Sequence, residues 1–131
     1  MRIVPDGRMA EWLTGQPRRQ LYATAIGRAE IYYGIAMRPE GKKKAALAHA
    51  ASAVFKGTFG GRILSFDDEA AMFFAEIAAW RRRSGKAISG VDAQIAAIAG
   101  AQGAAIATRN TSHFEDCGVP VINPWHAQVI S

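Results

Sequence analysis

The chain has 131 residues, of which 50% are hydrophobic, with a formal net charge of +5 and one cysteine, Cys117. This length suits one domain with a buried core, so we expect a single domain over residues 1–131. No apolar run approaches the roughly 20 residues that cross a bilayer, no secretory signal is visible, and a lone cysteine forms no internal disulfide; we therefore expect a cytoplasmic protein with no membrane contact.

Segments with helical and strand-like patterns alternate along the chain. The patterns predict helices over residues 6–13, 28–37, 41–55, 67–83 and 89–102. They predict strands over residues 21–26, 62–65, 104–108 and 119–122. Because strands separated by helices form crossover units, this order predicts an α/β fold in which a parallel sheet is flanked by helices.

The helix predicted over residues 89–102 carries one carboxylate, Asp92, in its first turn. Ser89 is a typical N-cap, and Val91, Ile95 and Ile98 recur at helical spacing. The helix dipole stabilises an acid in this position, which explains Asp92 without any ligand. A metal ion would explain it equally well, since a buried carboxylate must be paired or coordinate something. These residues alone leave both interpretations open.

Two other segments supply polar side chains next to predicted strands. Glu30 lies about one turn into the helix that follows the strand over residues 21–26. Thr108, Arg109 and Asn110 stand at the end of the strand over residues 104–108. Ligands of open parallel sheets bind beyond the carboxyl ends of the strands. We therefore expect three separate elements, including the one that carries Asp92, to deliver polar groups to one edge of the sheet.

With these residues the chain resembles the PIN-domain ribonucleases, and among them the VapC toxins of toxin–antitoxin pairs, in particular the FitB-like branch. The resemblance runs from about Arg8 to Trp125, and its specificity lies in the order and spacing of many short motifs. These motifs are Trp12-Leu13, Thr24 to Glu30, Tyr33-Gly34-Ile35, Gly41 to Lys44, Gly61 to Leu64, Phe66-Asp67, Ser89 to Asp92, Thr108 to Asn110, Phe114 and Asn123 to Trp125.

The resemblance implies a three-layer PIN-like fold whose acidic pocket holds Mg²⁺ or Mn²⁺ and hydrolyses RNA. Glu30 matches the second acid of the family and Asp92 the third, so both are expected to bind the metal. Asn110 stands where a fourth residue, often Asp, is found, and is expected to be catalytic with Glu30 and Asp92. Thr108 matches the polar residue beside that position. Arg109, which adjoins Asn110, is a better candidate for an RNA contact than the basic runs at residues 42–44 and 81–83.

One part of the family pattern is missing. The first acid of the family lies in an Asp-Thr-Asn motif at the end of a central N-terminal strand, and this sequence has no such motif. Residues 1–6 match instead the loop that follows that strand, so Asp6 is not expected to replace the acid. Three explanations stay open: a start codon placed too far downstream, a decayed copy, or a substitute strand formed by residues 1–4.

The resemblance also implies a biological role. We expect an endoribonuclease toxin that forms a homodimer and is silenced by a VapB-like antitoxin. The antitoxin is expected to bind in a groove of this chain that includes the helix around residues 31–37. The alternative is a catalytically defective relic that keeps only the antitoxin-binding and dimer surfaces. Metal-dependent cleavage of RNA would distinguish the two hypotheses.

The remaining chemical groups have simpler explanations. The basic runs at residues 42–44 and 81–83 are typical of solvated helix faces or helix ends, although a basic surface also helps to attract RNA. His49, His113 and His126 share no metal-ligand spacing, so no zinc site is expected. We expect Cys117 to be structural, because no histidine partner is evident in the sequence.

Overall fold

The α-helices lie in two consecutive pairs between strands in the structure, a computed structural model that describes residues 2–5 and 18–123. The strands are β1 (Ile3–Pro5), β2 (Ala23–Thr24), β3 (Ile63–Leu64), β4 (Ala105–Ala107) and β5 (Val121–Ile122). The helices are α1 (Ala25–Ala36), α2 (Lys42–Ala53), α3 (Asp68–Arg83) and α4 (Gly90–Ala101). The helix predicted over residues 6–13 and the terminal Trp125 lie outside the described residues.

All described strand pairs are parallel. β4 lies between β1 and β5, and β2 pairs with β3. An isolated bridge between Ile3 and Leu21 joins the two groups, and the amide of Tyr22 donates to the carbonyl of Ile3 at 3.0 Å. The strands therefore follow the spatial order β3, β2, β1, β4, β5, with all their carboxyl ends at one edge. The α/β fold with a parallel sheet flanked by helices is confirmed.

The expectation that residues 1–6 form a loop is wrong for residues 3–5. Ile3 pairs with Ala105 and Val4 with Ile106, and the two apolar side chains are 7% and 1% exposed. They form a strand because burial between β2 and β4 removes them from water and satisfies their backbone groups. Pro5 is the last residue of the strand, so its missing amide removes few of the hydrogen bonds that pair β1 with its neighbours. The structure thus supports the substitute strand, and Asp6 lies outside the described residues.

The local pattern misplaces two element boundaries. α1 begins at Ala25 and not at residue 28, because Thr24 caps it by accepting a hydrogen bond from the amide of Gly27 at 2.9 Å. β2 is shortened accordingly. The α-helical part of α2 ends at Ala53 and continues as a wider helical turn over Val54–Thr58. Both shifts occur next to residues that line the candidate site.

The core lies on both faces of the sheet. Six residues of α4 are buried, most of them alanine, and this helix packs closely against α3. A Cβ atom on Gly100 would lie 2.7 Å from the ring of Phe73, so only glycine permits this approach. A second cluster covers the other face and includes Ile3, Leu21, Phe55 and Phe59. Within the described part of the chain, no helix has both the length and the apolar character to cross a membrane.

Candidate active site

A cleft of about 500 Å³ lies beyond the carboxyl ends of β1, β2 and β4. Glu30 reaches it from α1, Asp92 from α4, and Asn110 from the segment after β4. The structure therefore brings together the three residues expected to be catalytic. Thr108 and Arg109 are not among the residues that line the cleft.

The position of Glu30 depends on the start of α1. Thr24 is buried, and its hydroxyl oxygen fixes the first turn of the helix through the amide of Gly27. A Cβ atom on Gly27 would come within 3.1 Å of that oxygen, so glycine allows the close approach. Glu30 is the sixth residue of α1, and its side chain is exposed at the cleft. The Thr24 cap at the end of β2 thus positions Glu30.

Asp92 has local support and also faces the cleft. Its amide donates to the Ser89 hydroxyl at 3.1 Å, which caps α4 as the sequence indicates. Its carboxylate oxygen Oδ2 lies 3.7 Å from Nδ1 of His113, and its side chain is 27% exposed. The carboxylate of Asp92 is therefore stabilised by the helix dipole and is also accessible from the cleft. The two interpretations of Asp92 are compatible.

Thr108 holds the turn that carries Asn110. Thr108 is fully buried, its amide donates to the carbonyl of Ile122 at 2.9 Å, and its hydroxyl accepts from the amide of Asn110 at 3.0 Å. This bond fixes the direction in which the chain leaves β4. Thr108 thus positions Asn110 and does not itself line the cleft, while Arg109 is exposed beside it.

Two cleft residues had no signal in the sequence. His113 lies on the short helical turn Thr111–Phe114 and contacts Asp92, although 21 positions separate them in the chain. Arg28 lies on α1, with its guanidinium over the rings of Tyr32 and Phe55 at 5.6 and 5.5 Å from their centroids. The contacts of His113 with Asp92 and of Arg28 with Phe55 join segments that are distant in the chain, so no local spacing predicts them.

Two explanations were open for the basic run at residues 81–83, a solvated helix face or a helix end, and the solvated face is wrong for Arg81. Arg81 is 5% exposed, and its guanidinium donates to the carbonyls of Lys86, His113 and Glu115, the last two at 2.9 Å. These acceptors satisfy a buried cation through carbonyl dipoles. Arg81 therefore braces the segment that carries His113.

Cys117 lies against the same guanidinium and is structural in its environment. Its sulfur is 3.7 Å from Nη1 of Arg81 and the residue is 6% exposed. Burial raises the pKa of the thiol, with smaller contributions from Asp116 and Asp92 in the same direction, while the contact with Arg81 opposes them. A protonated, buried thiol is a poor nucleophile.

The oxygen donors of the cleft suit a hard divalent cation. Glu30 and Asp92 offer carboxylates and Asn110 an amide oxygen, the ligand types that Mg²⁺ and Mn²⁺ prefer. Within residues 2–5 and 18–123, no group of three His, Cys, Asp or Glu side chains is arranged to hold a metal. Mg²⁺ is commonly bound through one or two carboxylates, with water and substrate phosphates as its other ligands. The residues present therefore fit an ion held partly by the protein and open to substrate.

Comparisons with known proteins agree with this architecture. The PIN domain family matches residues 6–118. The VapC ribonuclease Y4jK of Sinorhizobium fredii is 38% identical over 121 residues, which cover 92% of this chain and 86% of that protein. Toxin FitB of Neisseria gonorrhoeae is 36% identical over 126 residues, which cover 96% of this chain and 91% of that protein.

A solved structure extends the likeness to three dimensions. The crystal structure of FitAcB from Neisseria gonorrhoeae superposes with a TM-score of 0.84 at 34% identity, over 95% of this chain and 99% of that one. The parallel sheet, the cleft at its carboxyl edge and these matches lead to one conclusion. This chain belongs to the PIN domain family, among the VapC-type toxins of the FitB-like branch.

Proposed function

We propose that this chain is a metal-dependent endoribonuclease that acts as the toxin of a type II toxin–antitoxin pair in the cytoplasm. One observation carries the proposal: Glu30 and Asp92, on separate helices, line one cleft at the carboxyl edge of the sheet together with Asn110. The similarity to a VapC ribonuclease and to a FitB toxin supports the same activity.

The proposed reaction adds water across a phosphodiester, breaking one P–O bond and leaving a phosphate monoester and a hydroxyl end. Bound Mg²⁺ or Mn²⁺ would lower the pKa of the attacking water and offset charge on the phosphate. Glu30 and Asp92 would hold the ion, and the Asn110 amide would orient the water or a second ion. Thr108 fixes the turn of Asn110 by the bond between its hydroxyl and the Asn110 amide.

The test is cleavage of single-stranded RNA by the purified chain, free of any partner, with Mg²⁺, with Mn²⁺ and with EDTA. We expect slow cleavage and weak Mn²⁺ binding, because the described cleft holds only two carboxylates. Glu30→Gln and Asp92→Asn should each lower the rate by about 100-fold or more, since each removes an anchor of the ion. Glu76→Gln, an exposed carboxylate on α3, is the matched control.

The outcomes separate the enzyme from its alternative. Cleavage that survives EDTA, or that survives both cleft substitutions, contradicts the metal-dependent mechanism. A wild-type chain that neither cleaves RNA nor binds Mn²⁺ identifies a catalytically defective relic, the second candidate. The observation that favours this candidate is that no three-carboxylate cluster occurs among the described residues.

We also propose that a VapB-like antitoxin covers part of α1 and that the toxin is a homodimer. Tyr33 and Met37 are each 68% exposed on this side of the molecule, and large apolar side chains in the open favour a protein partner. The product of the adjoining upstream reading frame should co-purify with the chain. Separate elution of the two proteins, with no effect of Tyr33→Asp, would contradict the assignment of this surface.

A further inference from the structure

Arg28 is a cation on the wall of the cleft, and two aromatic rings fix its position. Its guanidinium lies 5.6 Å from the ring centroid of Tyr32 and 5.5 Å from that of Phe55. The two rings stack on each other at 5.9 Å with an interplanar angle of 26°. Phe55 also stacks on Phe59, and both of these phenylalanines are buried. The rings therefore form a rigid support beneath a charged group.

The hydrogen-bond donors of Arg28 are left unused by the described protein. The guanidinium contacts ring faces, and it has no hydrogen bond or ion pair with residues 2–5 or 18–123. Contact with a ring face leaves the in-plane N–H groups available, and arginine has five of them in a fixed fork. An unused fork in a cleft is suited to a ligand with several acceptor oxygens.

The helix itself does not account for this cation. Arg28 is the fourth residue of α1, and the first turn of that helix contains no acidic residue. The positive end of the helix dipole disfavours a cation in this turn by about 0.3–1 kcal/mol. Tyr32 and Phe55 support the guanidinium, but neither neutralises its charge. The position thus favours an anion that residues 2–5 and 18–123 do not supply.

We propose that Arg28 binds a backbone phosphate of the RNA strand, on the same cleft wall as Glu30. The inference rests on the proposed ribonuclease activity and adds a substrate-binding residue to it. A polyanion that approaches two carboxylates is repelled by them, and a fixed guanidinium in the same cleft offsets part of that repulsion. The planar fork suits phosphate oxygens, to which arginine donates two parallel hydrogen bonds. Because aromatic rings hold the guanidinium, little side-chain freedom is lost on binding.

The test measures binding without catalysis. Fluorescence anisotropy of a labelled single-stranded oligoribonucleotide in EDTA gives the Kd at several salt concentrations, for wild type, Arg28→Gln and Arg28→Lys. We expect Arg28→Gln to weaken binding about tenfold and to reduce the slope of log Kd against log salt by about 0.7, the value for one phosphate contact on a single strand. Arg28→Lys should keep the slope and lose several-fold in affinity, because a lysine lacks the fork. Arg83→Gln, the same charge change at an exposed site that does not line the cleft, is the matched control and should change the slope least.

A kinetic measurement with Mg²⁺ separates binding from chemistry. Arg28→Gln should raise KM about tenfold and leave kcat within about twofold, the pattern expected when binding to substrate and transition state is lost equally. Thermal melts followed by circular dichroism check that each variant folds. If Arg28→Gln does not fold, the comparison uses Arg28→Lys.

Three results would overturn the proposal, and they are distinguishable. If wild type cleaves RNA while both Arg28 variants keep its Kd and salt slope, Arg28 does not bind the substrate, although the ribonuclease assignment stands. If Arg28→Gln loses the co-purifying partner but not RNA, Arg28 belongs to a protein interface. If the wild-type chain neither binds nor cleaves RNA, the proposed function fails and this inference fails with it.

Discussion

Helices α1 and α4 each bring one carboxylate to the cleft, but the rest of the protein holds them very differently. α4 has six buried residues and lies between the sheet and α3. α1 has none, and it packs against β2, α2 and α4, with the Thr24 cap at its start. The core therefore fixes Asp92, whereas a cap and partly exposed side chains fix Glu30. Stability and activity should be coupled at Asp92 and separable at Glu30.

The largest expected difference between the two helices is the effect of truncating an apolar side chain. Ile98 on α4 is 1% exposed, and Ile98→Ala should destabilise the protein by about 3 kcal/mol through lost burial and a cavity. Ile35→Ala on α1 is the matched substitution at a partly exposed site and should cost about 1 kcal/mol or less. Thermal unfolding followed by circular dichroism compares them, with about 10 °C expected for Ile98→Ala. Equal shifts in melting temperature would show that α1 belongs to the core.

The second prediction concerns the brace on the Asp92 side of the cleft. Arg81→Met should cost about 2–3 kcal/mol, because it leaves the carbonyls of Lys86, His113 and Glu115 without their donor. The neighbouring Arg82 is exposed, so Arg82→Met should change stability by less than about 0.5 kcal/mol. Urea denaturation measures both. A similar effect for the two variants would mean that the buried guanidinium contributes only general charge.

The third prediction compares the two helix caps. Ser89→Ala and Thr24→Ala should each cost about 1 kcal/mol, since each removes the acceptor of one first-turn amide. Their effects on RNA cleavage should differ, because α4 keeps its buried contacts while α1 depends more on its cap. Thr24→Ser retains the hydroxyl and should restore most of the activity. If Ser89→Ala lowers cleavage as much as Thr24→Ala or more, α1 does not depend on its cap more than α4 does.

The smallest expected effect is a pH dependence on the Arg81 side. Burial raises the pKa of Cys117, so the native state favours the neutral thiol. The resulting stability is complete below the ordinary thiol pKa of about 8.5 and is lost as the pH rises through the higher native pKa. Wild type should therefore lose more stability above about pH 8.5 than Cys117→Ala does. Parallel curves of unfolding free energy against pH would contradict this assignment.

The sequence predicts features that depend on neighbouring residues and misses those that depend on contacts between distant segments. The order of helices and strands follows from local periodicity, and Ser89 and Asp92 lie where the cap pattern indicates. β1 could not be predicted in this way, because three residues carry no periodicity and their pairing partner is β4. The burial of Arg81 and the contact of Arg28 with Phe55 could not be predicted either, since residues distant in the chain create both surroundings. The roles of Glu30, Asp92 and Asn110 in catalysis stay predictions.

The position of β1 also determines when the cleft can form during synthesis of the protein. Ile3 pairs with Ala105, so about a hundred residues must be made between the two halves of the central ladder. At typical translation speeds of about 5–20 residues per second, this takes on the order of 5–20 s. Pro5 is the last residue of β1, Asn110 follows β4, and both line the cleft. A nascent chain therefore has no assembled cleft until β4 and the segment that carries Asn110 have left the ribosome.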